Sequence, residues 1–367
     1  MWTTAGQMSE QFELEVTSSQ FAYKITNVLQ DLDVERRRYV LIVDSNVIAT
    51  TAEILSSPQL TIDLQISEEK KTLNTVEDIL ENLADAGITK SDLIVAVGGG
   101  ALQDLVTLVA SLYMRGIEWI YVPTTLMSML DSCIGGKSSI NIGKHKNVVG
   151  NFFPPRQVYI EPKFLNTLNL VDIASGISEG VKICFAFKLQ KALLFQGLIK
   201  DWQRSKKEDS ILKAIFLSLE AKKWFVEIDE FDKKERRLLN FGHSFGHALE
   251  SATSFAIPHG IGVFVGMEAA IWHSGKSLLC TDLSDFIAVQ VDPVSQNFPK
   301  FQLDSSQFVK AIRNDKKNTS THQVLILPDF QGILGEAKIE IEDSTFSDCL
   351  SSIVYALDKL GFEYEVL

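Results

Sequence analysis

Leu93-Ile94-Val95-Ala96-Val97 is an uncharged apolar run that stops at three consecutive glycines, Gly98-Gly99-Gly100. From Ala101 to Tyr113 the apolar residues recur at helical spacing, and Trp119-Ile120-Tyr121-Val122 reads as another strand before Pro123. Strand, glycine loop, helix and strand make a βαβ unit, whose strands are parallel and covered on both faces. Tyr39-Val40-Leu41-Ile42-Val43, ending at Asp44-Ser45-Asn46, is a further run of the buried-strand type. The pattern points to a doubly wound parallel sheet. Glycines after a buried strand let the backbone approach a bound group, and the helix that follows favours a phosphate at its N-terminus. The loop lacks the full G-x-G-x-x-G spacing, so it reads as a tight turn or as a pyrophosphate site.

Beyond about Lys163 the periodicity changes. Amphipathic helices are expected over 172–188, 208–227, 234–254 and 260–278. A chain of 367 residues has room for two domains. We expect an α/β, Rossmann-like domain over 1–160 and a mostly α-helical domain over 161–367, with Pro154-Pro155 interrupting regular structure shortly before the boundary.

The helical part carries the densest chemistry. His243 and His247 are four residues apart and share a helix face, and His259 follows at an expected helix start. Glu179 stands three residues before Lys182 on another helix. A carboxylate and two imidazoles leave a position open on a divalent ion, as a catalytic zinc site requires. The other reading is that the histidines cap helices or satisfy core polar groups, and spacing alone does not decide which of the three bind metal. Cations gather in the same stretches: Lys137 after Gly135-Gly136, Lys146-Asn147, Lys182, Lys222, Arg236 and Lys316-Lys317.

The formal net charge of −12 argues against nucleic acid or an anionic membrane as partner. A local cation cluster in such a protein suits a small anion bearing phosphate or carboxylate. Four scattered cysteines with no C-x-x-C pair suit a reduced compartment. Met1 to Phe12 lacks the apolar stretch of a signal peptide, and no apolar run reaches bilayer length. A cytoplasmic protein is expected.

The ordered set of motifs resembles the dehydroquinate synthase family of sugar phosphate cyclases from about residue 39 to 330. It runs Val43-Asp44-Ser45-Asn46, Glu68 to Thr72, Gly98-Gly99-Gly100 with Asp104, Met114-Arg115-Gly116 and Pro123-Thr124-Thr125-Leu126. Then come Asp131 through Lys137 to Asn141, Lys146-Asn147, Ser178-Glu179 with Lys182, Arg236 to Glu250, His259-Gly260 and Asp315-Lys316-Lys317. The chain departs from the family pattern at Val171-Asp172, Lys234 and Ile261.

The resemblance implies NAD in the first domain and a divalent metal, zinc or cobalt, in the second. Asp44, Asn46, Glu68, Lys71, Gly99, Gly100, Asp104, Thr124, Thr125 and Lys146 would contact NAD. Glu179, His243 and His259 would bind the metal. Lys137, Lys182, Asn240, His247, Arg236 and Asp131 would form the catalytic set. Asn147, Lys222 and one of Lys316 or Lys317 would bind substrate, and Arg115 would reach a neighbouring subunit of a homodimer. The implied reaction is a carbon–oxygen lyase cycle: oxidation of a ring carbinol by NAD, phosphate elimination, re-reduction, ring opening and intramolecular aldol closure. Arg236, Asn240 and Asp315-Lys316-Lys317 match the form that takes 3-deoxy-D-arabino-heptulosonate 7-phosphate. The rival readings are a cyclase of sedoheptulose 7-phosphate or another sugar phosphate, and a metal-dependent NAD polyol dehydrogenase.

Overall fold

The apolar runs of the first part become the middle strands of one twisted sheet. In a computed structural model describing residues 11–28, 37–55, 57–143, 145–275, 280–342 and 344–367, the strands of this part are β1 (Glu13–Thr17), β2 (Ala22–Thr26), β3 (Tyr39–Asp44), β4 (Leu60–Leu64), β5 (Leu93–Gly98), β6 (Trp119–Pro123), β7 (Ile140–Ile142), β8 (His145–Val149) and β9 (Gln157–Tyr159). Seven of them form the sheet in the order β1-β2-β9-β6-β5-β3-β4. All neighbours are parallel except β1 and β2, an edge hairpin. The helices that cross between strands include α1 (Ile48–Ala52), α2 (Leu73–Asp85) and α3 (Gly100–Leu112). Every side chain of β5 and β6 is buried, which is why both read as unbroken apolar runs.

After the β1–β2 edge hairpin the chain passes to β3 near the opposite edge, moves to β4 on one side, then crosses over β3 to β5 on the other. The strand order therefore reverses between β3 and β5. In open α/β sheets the crevice beyond the carboxyl ends of such strands is the place for a ligand. Here those ends carry Asp44 and Gly98-Gly99-Gly100.

The helices that follow are α4 (Leu170–Phe187), α5 (Leu189–Ser205), α6 (Glu208–Ile228), α7 (His243–Ala252), α8 (His259–His273) and α9 (Thr281–Ser295). After them come β10 (Phe301–Leu303), α10 (Ser305–Arg313), β11 (His322–Pro328), β12 (Leu334–Glu340), α11 (Thr345–Lys359) and β13 (Tyr364–Val366). Asn169 caps α4 by accepting from the Asp172 amide at 2.9 Å. From Gly260 to Ile271 every residue of α8 is buried, and the one charged residue among them, Glu268, is paired with Lys359 and accepts from Ser284, so this helix forms the centre of its unit.

Three expectations are corrected. First, the compact units are 1–168 with 205–231, and 169–204 with 232–367, not the continuous halves 1–160 and 161–367. Helix α6 joins the first unit: Ser218 donates to the Leu130 carbonyl at 2.9 Å and Phe216 meets Phe12 at 5.4 Å between ring centres. Second, the prolines at 154–155 mark no boundary, because the chain runs on directly into β9 of the sheet. Third, 234–254 is not one helix. Residues 235–240 make a tight 3₁₀ segment, Gly242 turns the chain at φ +78°, and α7 starts afresh at His243. The 260–278 expectation becomes α8 and ends at a Gly275 turn of φ +90°; residues 276–279 lie outside the described residues.

Candidate functional site

In the second unit, four glycines decide where the histidines stand. Gly242 and Gly246 face Gly262 and Gly266 across the α7–α8 contact. A Cβ on Gly246 would lie 2.8 Å from the Gly262 carbonyl oxygen, and one on Gly266 only 2.1 Å from that of Gly242. The two backbones thus touch, and His243, His247 and His259 come together with ring centres 5.2–5.4 Å apart. One ring nitrogen from each lies within 4.8 Å of the others. Gly260 does the same for α4: its Cβ would sit 2.4 Å from Ser175 Cα. Glu179, one turn beyond Ser175, therefore meets His259.

The Glu179 carboxylate is buried, and one oxygen, Oε2, is paired with the Lys182 ammonium. The other, Oε1, has no hydrogen-bond partner. It faces His259 Nε2 at 3.5 Å and His243 Nε2 at 3.7 Å, beyond hydrogen-bond reach. A buried carboxylate oxygen is seldom left this way. Ligands bonded tetrahedrally at about 2.1 Å lie about 3.4 Å from one another, so the spacing suits a divalent ion among these three atoms. The outer edges of the rings agree. His243 Nδ1 lies 3.3 Å from the Phe241 carbonyl oxygen and His259 Nδ1 lies 2.8 Å from Glu250 Oε1, so both Nε2 atoms face inward.

The electrostatics point the same way. Burial, then the Lys182 charge, lowers His243 well below its ordinary range, the neutral form that a metal ligand requires. Burial alone would raise Glu179, but Lys182 and His259 outweigh it and hold the carboxyl below its usual range. Burial alone would lower His259, yet the facing Glu179 and Glu250 carboxylates outweigh this and raise it to about 10.

The other expected residues of this unit divide. Arg236 is buried and Asn240 donates to the Arg237 carbonyl at 3.0 Å, both on the 3₁₀ segment that leads into α7. His247 is exposed beside the two other rings. Lys317 bonds Asp315 at 2.8 Å, and this pair is close enough to His247 to perturb it, whereas Lys316 is exposed.

The first unit holds a separate cluster. Lys71 is 4 % exposed and reaches Asp104 Oδ2 at 2.8 Å, Asn147 Oδ1 at 2.9 Å and Glu68 Oε1 at 3.2 Å. Burial raises the Asp104 carboxyl, against the pull of Lys71. Residues expected on NAD (Glu68, Lys71, Asp104) thus share one network with Asn147, expected on substrate. At the glycine loop, Gly99 caps α3 without a side chain, and a Cβ there would lie 2.9 Å from Thr125 Cγ2. The Thr124 amide donates to the Gly98 carbonyl at 3.1 Å. Asp44 accepts from the Asn46 amide at 3.0 Å at the end of β3. The open loop, the helix N-terminus and the strand reversal fit a dinucleotide.

Lys222 bonds Asp131 twice, at its carboxylate (2.6 Å) and its carbonyl (2.7 Å). Lys137 and Lys146 are exposed, Lys146 on the β7–β8 hairpin. Arg115 is exposed in a turn where Met114, Arg115 and Gly116 all have positive φ. Two residues that the sequence reading named only as motif ends, with no role, belong to these clusters. Asn141 binds the Glu68 carbonyl at 2.9 Å and accepts from the Asn147 amide at 3.0 Å, bracing the Lys71 cluster. Glu250 binds His259; its signal was the 243, 247, 250 spacing, which puts it on the histidine face.

Residues 61–175 match the 3-dehydroquinate synthase N-terminal family and residues 176–318 the C-terminal family. The chain belongs to the dehydroquinate synthase family. The 3-dehydroquinate synthase of Streptococcus equi subsp. equi (strain 4047) is 34% identical over 290 residues, 78% of this chain and 79% of the relative. As a family member the chain is an enzyme of the lyase class, a sugar phosphate cyclase. Two solved structures share the fold. A 2-deoxy-scyllo-inosose synthase complexed with carbaglucose-6-phosphate, NAD+ and Co2+ has a TM-score of 0.77 at 22% identity, covering 92% of this chain and 98% of its own. The 2-epi-5-epi-valiolone synthase of Streptomyces hygroscopicus subsp. jinggangensis 5008, with NAD+ and Zn2+ bound, scores 0.74 at 21% identity, covering 98% and 100%. The expected architecture, a Rossmann-like α/β part and a helix-rich C-terminal part, is borne out. Among the described residues no helix is long and apolar enough to cross a membrane.

Proposed function

We propose that the chain converts 3-deoxy-D-arabino-heptulosonate 7-phosphate to 3-dehydroquinate and phosphate, with NAD and a divalent metal, zinc or cobalt. The observation that carries this reading is Glu179 Oε1, buried without a hydrogen-bond partner and faced by Nε2 of His243 and His259. When bound, NAD supplies a reversible hydride acceptor and the metal an electrophile for a ring oxygen.

The remaining work falls to the chain itself. Glu179, His243 and His259 hold the ion, while Lys182 keeps the carboxylate ionised and offers a cation to the substrate. The Gly99-Gly100 amides and the α3 N-terminus hold the dinucleotide phosphates, with Asp44, Asn46, Glu68, Lys71, Asp104, Thr124, Thr125 and Lys146 as further contacts. The buried Arg236 guanidinium presents a rigid fork suited to carboxylate or phosphate, and Asn240 extends from the same segment. Lys317, not the exposed Lys316, is the cation on the side of His247, whose imidazole moves a proton at its free ring nitrogen. Lys137, Asn147, Arg115 and the Asp131–Lys222 pair are the first unit's contributions to substrate binding. The same reading makes the protein a cytoplasmic homodimer with a small anionic partner, and no nucleic acid or membrane ligand.

The test is phosphate release from 3-deoxy-D-arabino-heptulosonate 7-phosphate, sedoheptulose 7-phosphate and glucose 6-phosphate, with product identification. Turnover of the heptulosonate without accumulation of NADH is expected. Net NADH formation would indicate a dehydrogenase, and preference for another sugar would move the substrate assignment.

A further inference from the structure

Glu250 belongs to neither the expected metal ligands nor the expected catalytic set, yet it is built into the same cluster. It stands on α7 at i+7 from His243 and i+3 from His247, on the histidine face. Its Oε1 accepts from His259 Nδ1 at 2.8 Å, and among the described residues His259 is its only ion-pair partner. Opposite it is Gly262, where a Cβ would lie 3.4 Å from Oε1. A methyl there would already stand at van der Waals contact with the carboxylate, so glycine leaves it room.

We infer that Glu250 is a positioning residue that commits His259 Nδ1–H outward, so that Nε2 is the nitrogen presented to the Glu179 oxygen. The inference rests on the metal reading above and deepens it. An imidazole has two chemically similar nitrogens, and the hydrogen bond made by one decides which is left for a metal. Without Glu250, no other group among the described residues holds His259 Nδ1–H, and the ring can turn its N–H toward Glu179 instead. That arrangement would satisfy the orphaned oxygen with a proton and close the site to an ion. The cost of losing an outer carboxylate of this kind is typically 10–100-fold in metal affinity.

The full-length protein, stripped by a chelator and titrated with Co2+, tests this by visible absorption and chelator competition. Wild type is expected to take up one Co2+ per chain. Glu250→Ala is expected to bind it about 10–100-fold more weakly, with an altered cobalt band. Glu250→Gln, whose amide oxygen still accepts from Nδ1–H, should recover most of that loss; a purely structural role would leave the cobalt band unmoved in both variants. A Glu250→Ala protein with wild-type affinity and spectrum overturns the inference while leaving the metal site standing. A wild-type chain that takes up no Co2+ removes the metal reading itself, and this inference with it. Should Glu250→Ala fail to fold, ¹⁵N NMR of the zinc-loaded wild type decides alone: Nδ1 of His259 is expected to carry the proton, and coordination through Nδ1 overturns the assignment.

Discussion

Single side chains in this protein are held by partners that define what they can do. Glu179 is the clearest case, since Lys182 occupies one oxygen and leaves the other for a cation. Replacing His259 by Ala should abolish stoichiometric zinc or cobalt by metal analysis and lower turnover by more than about 100-fold, beyond what an outer partner costs. Full activity in that variant would remove the metal assignment. In the first unit, Lys71 is the cation that makes the burial of Asp104 tolerable. Lys71→Met should destabilise the protein by about 3 kcal/mol, because it leaves the Asp104 carboxylate beside that of Glu68 with no cation between them. It should also weaken NAD binding, measured by calorimetry. The companion Lys71→Met/Asp104→Asn should recover much of the stability and none of the affinity.

At the scale of elements, two contacts set the geometry. The α7–α8 approach depends on glycine at 242, 246, 262 and 266, and Gly266→Ala would drive a methyl into a carbonyl oxygen. A loss of at least about 3 kcal/mol is expected, with metal content falling alongside the melting temperature. Gly197→Ala is the control. It lies exposed in α5 with nothing near its Cβ position, and should stabilise by about 0.5–1 kcal/mol. The second contact joins the starts of β3 and β5. Arg38 grips Asp92 through both carboxylate oxygens, at 2.8 and 2.7 Å, and Thr89 adds its amide at 2.6 Å. The Arg38 hydrogen bond, against the effect of burial, holds the Asp92 carboxyl well below its usual range. A depressed folded-state pKa contributes stability that is full above the unfolded value near 4 and fades as pH falls toward the folded one. Asp92→Asn should therefore lower the denaturation midpoint at pH 7 and narrow the gap to wild type as the pH drops below about 4.

Much at this scale was legible beforehand. Fully buried strands write unbroken apolar runs, so 39–43 and 93–97 announced β3 and β5, and the i, i+4 histidines announced one face of α7. The break at Gly242 was not legible, because apolar spacing continues through 235–240 whether the turn there is 3₁₀ or α. Nor was the different burial of Lys316 and Lys317, which depends on which way the turn after α10 presents each side chain.

For the molecule as a whole, burial governs the thiols. Cys133, Cys184, Cys280 and Cys349 are all buried, and burial pushes the Cys133 and Cys349 thiols up to about 12. Native protein should give no fast reaction with a thiol reagent, and denatured protein should give four equivalents. Amphipathic spacing also could not reveal the assignment of α6, since a periodic stripe says that a face is covered but not by what. Its true neighbours are the Leu130 carbonyl, Asp131 and the β1 edge.

The return of α6 to the first unit has a consequence for how the chain is made. Synthesis supplies the sheet first, but the helix that completes its packing emerges only after α4 and α5, which belong to the other unit. The nascent first unit must therefore wait on the ribosome for residue 231, carrying 169–204 as an unfinished insertion. For the same reason a gene fragment ending at residue 160 would encode the sheet without the helix that packs on its β1 edge, and an exchange of halves between relatives at that point would separate Lys222 from Asp131.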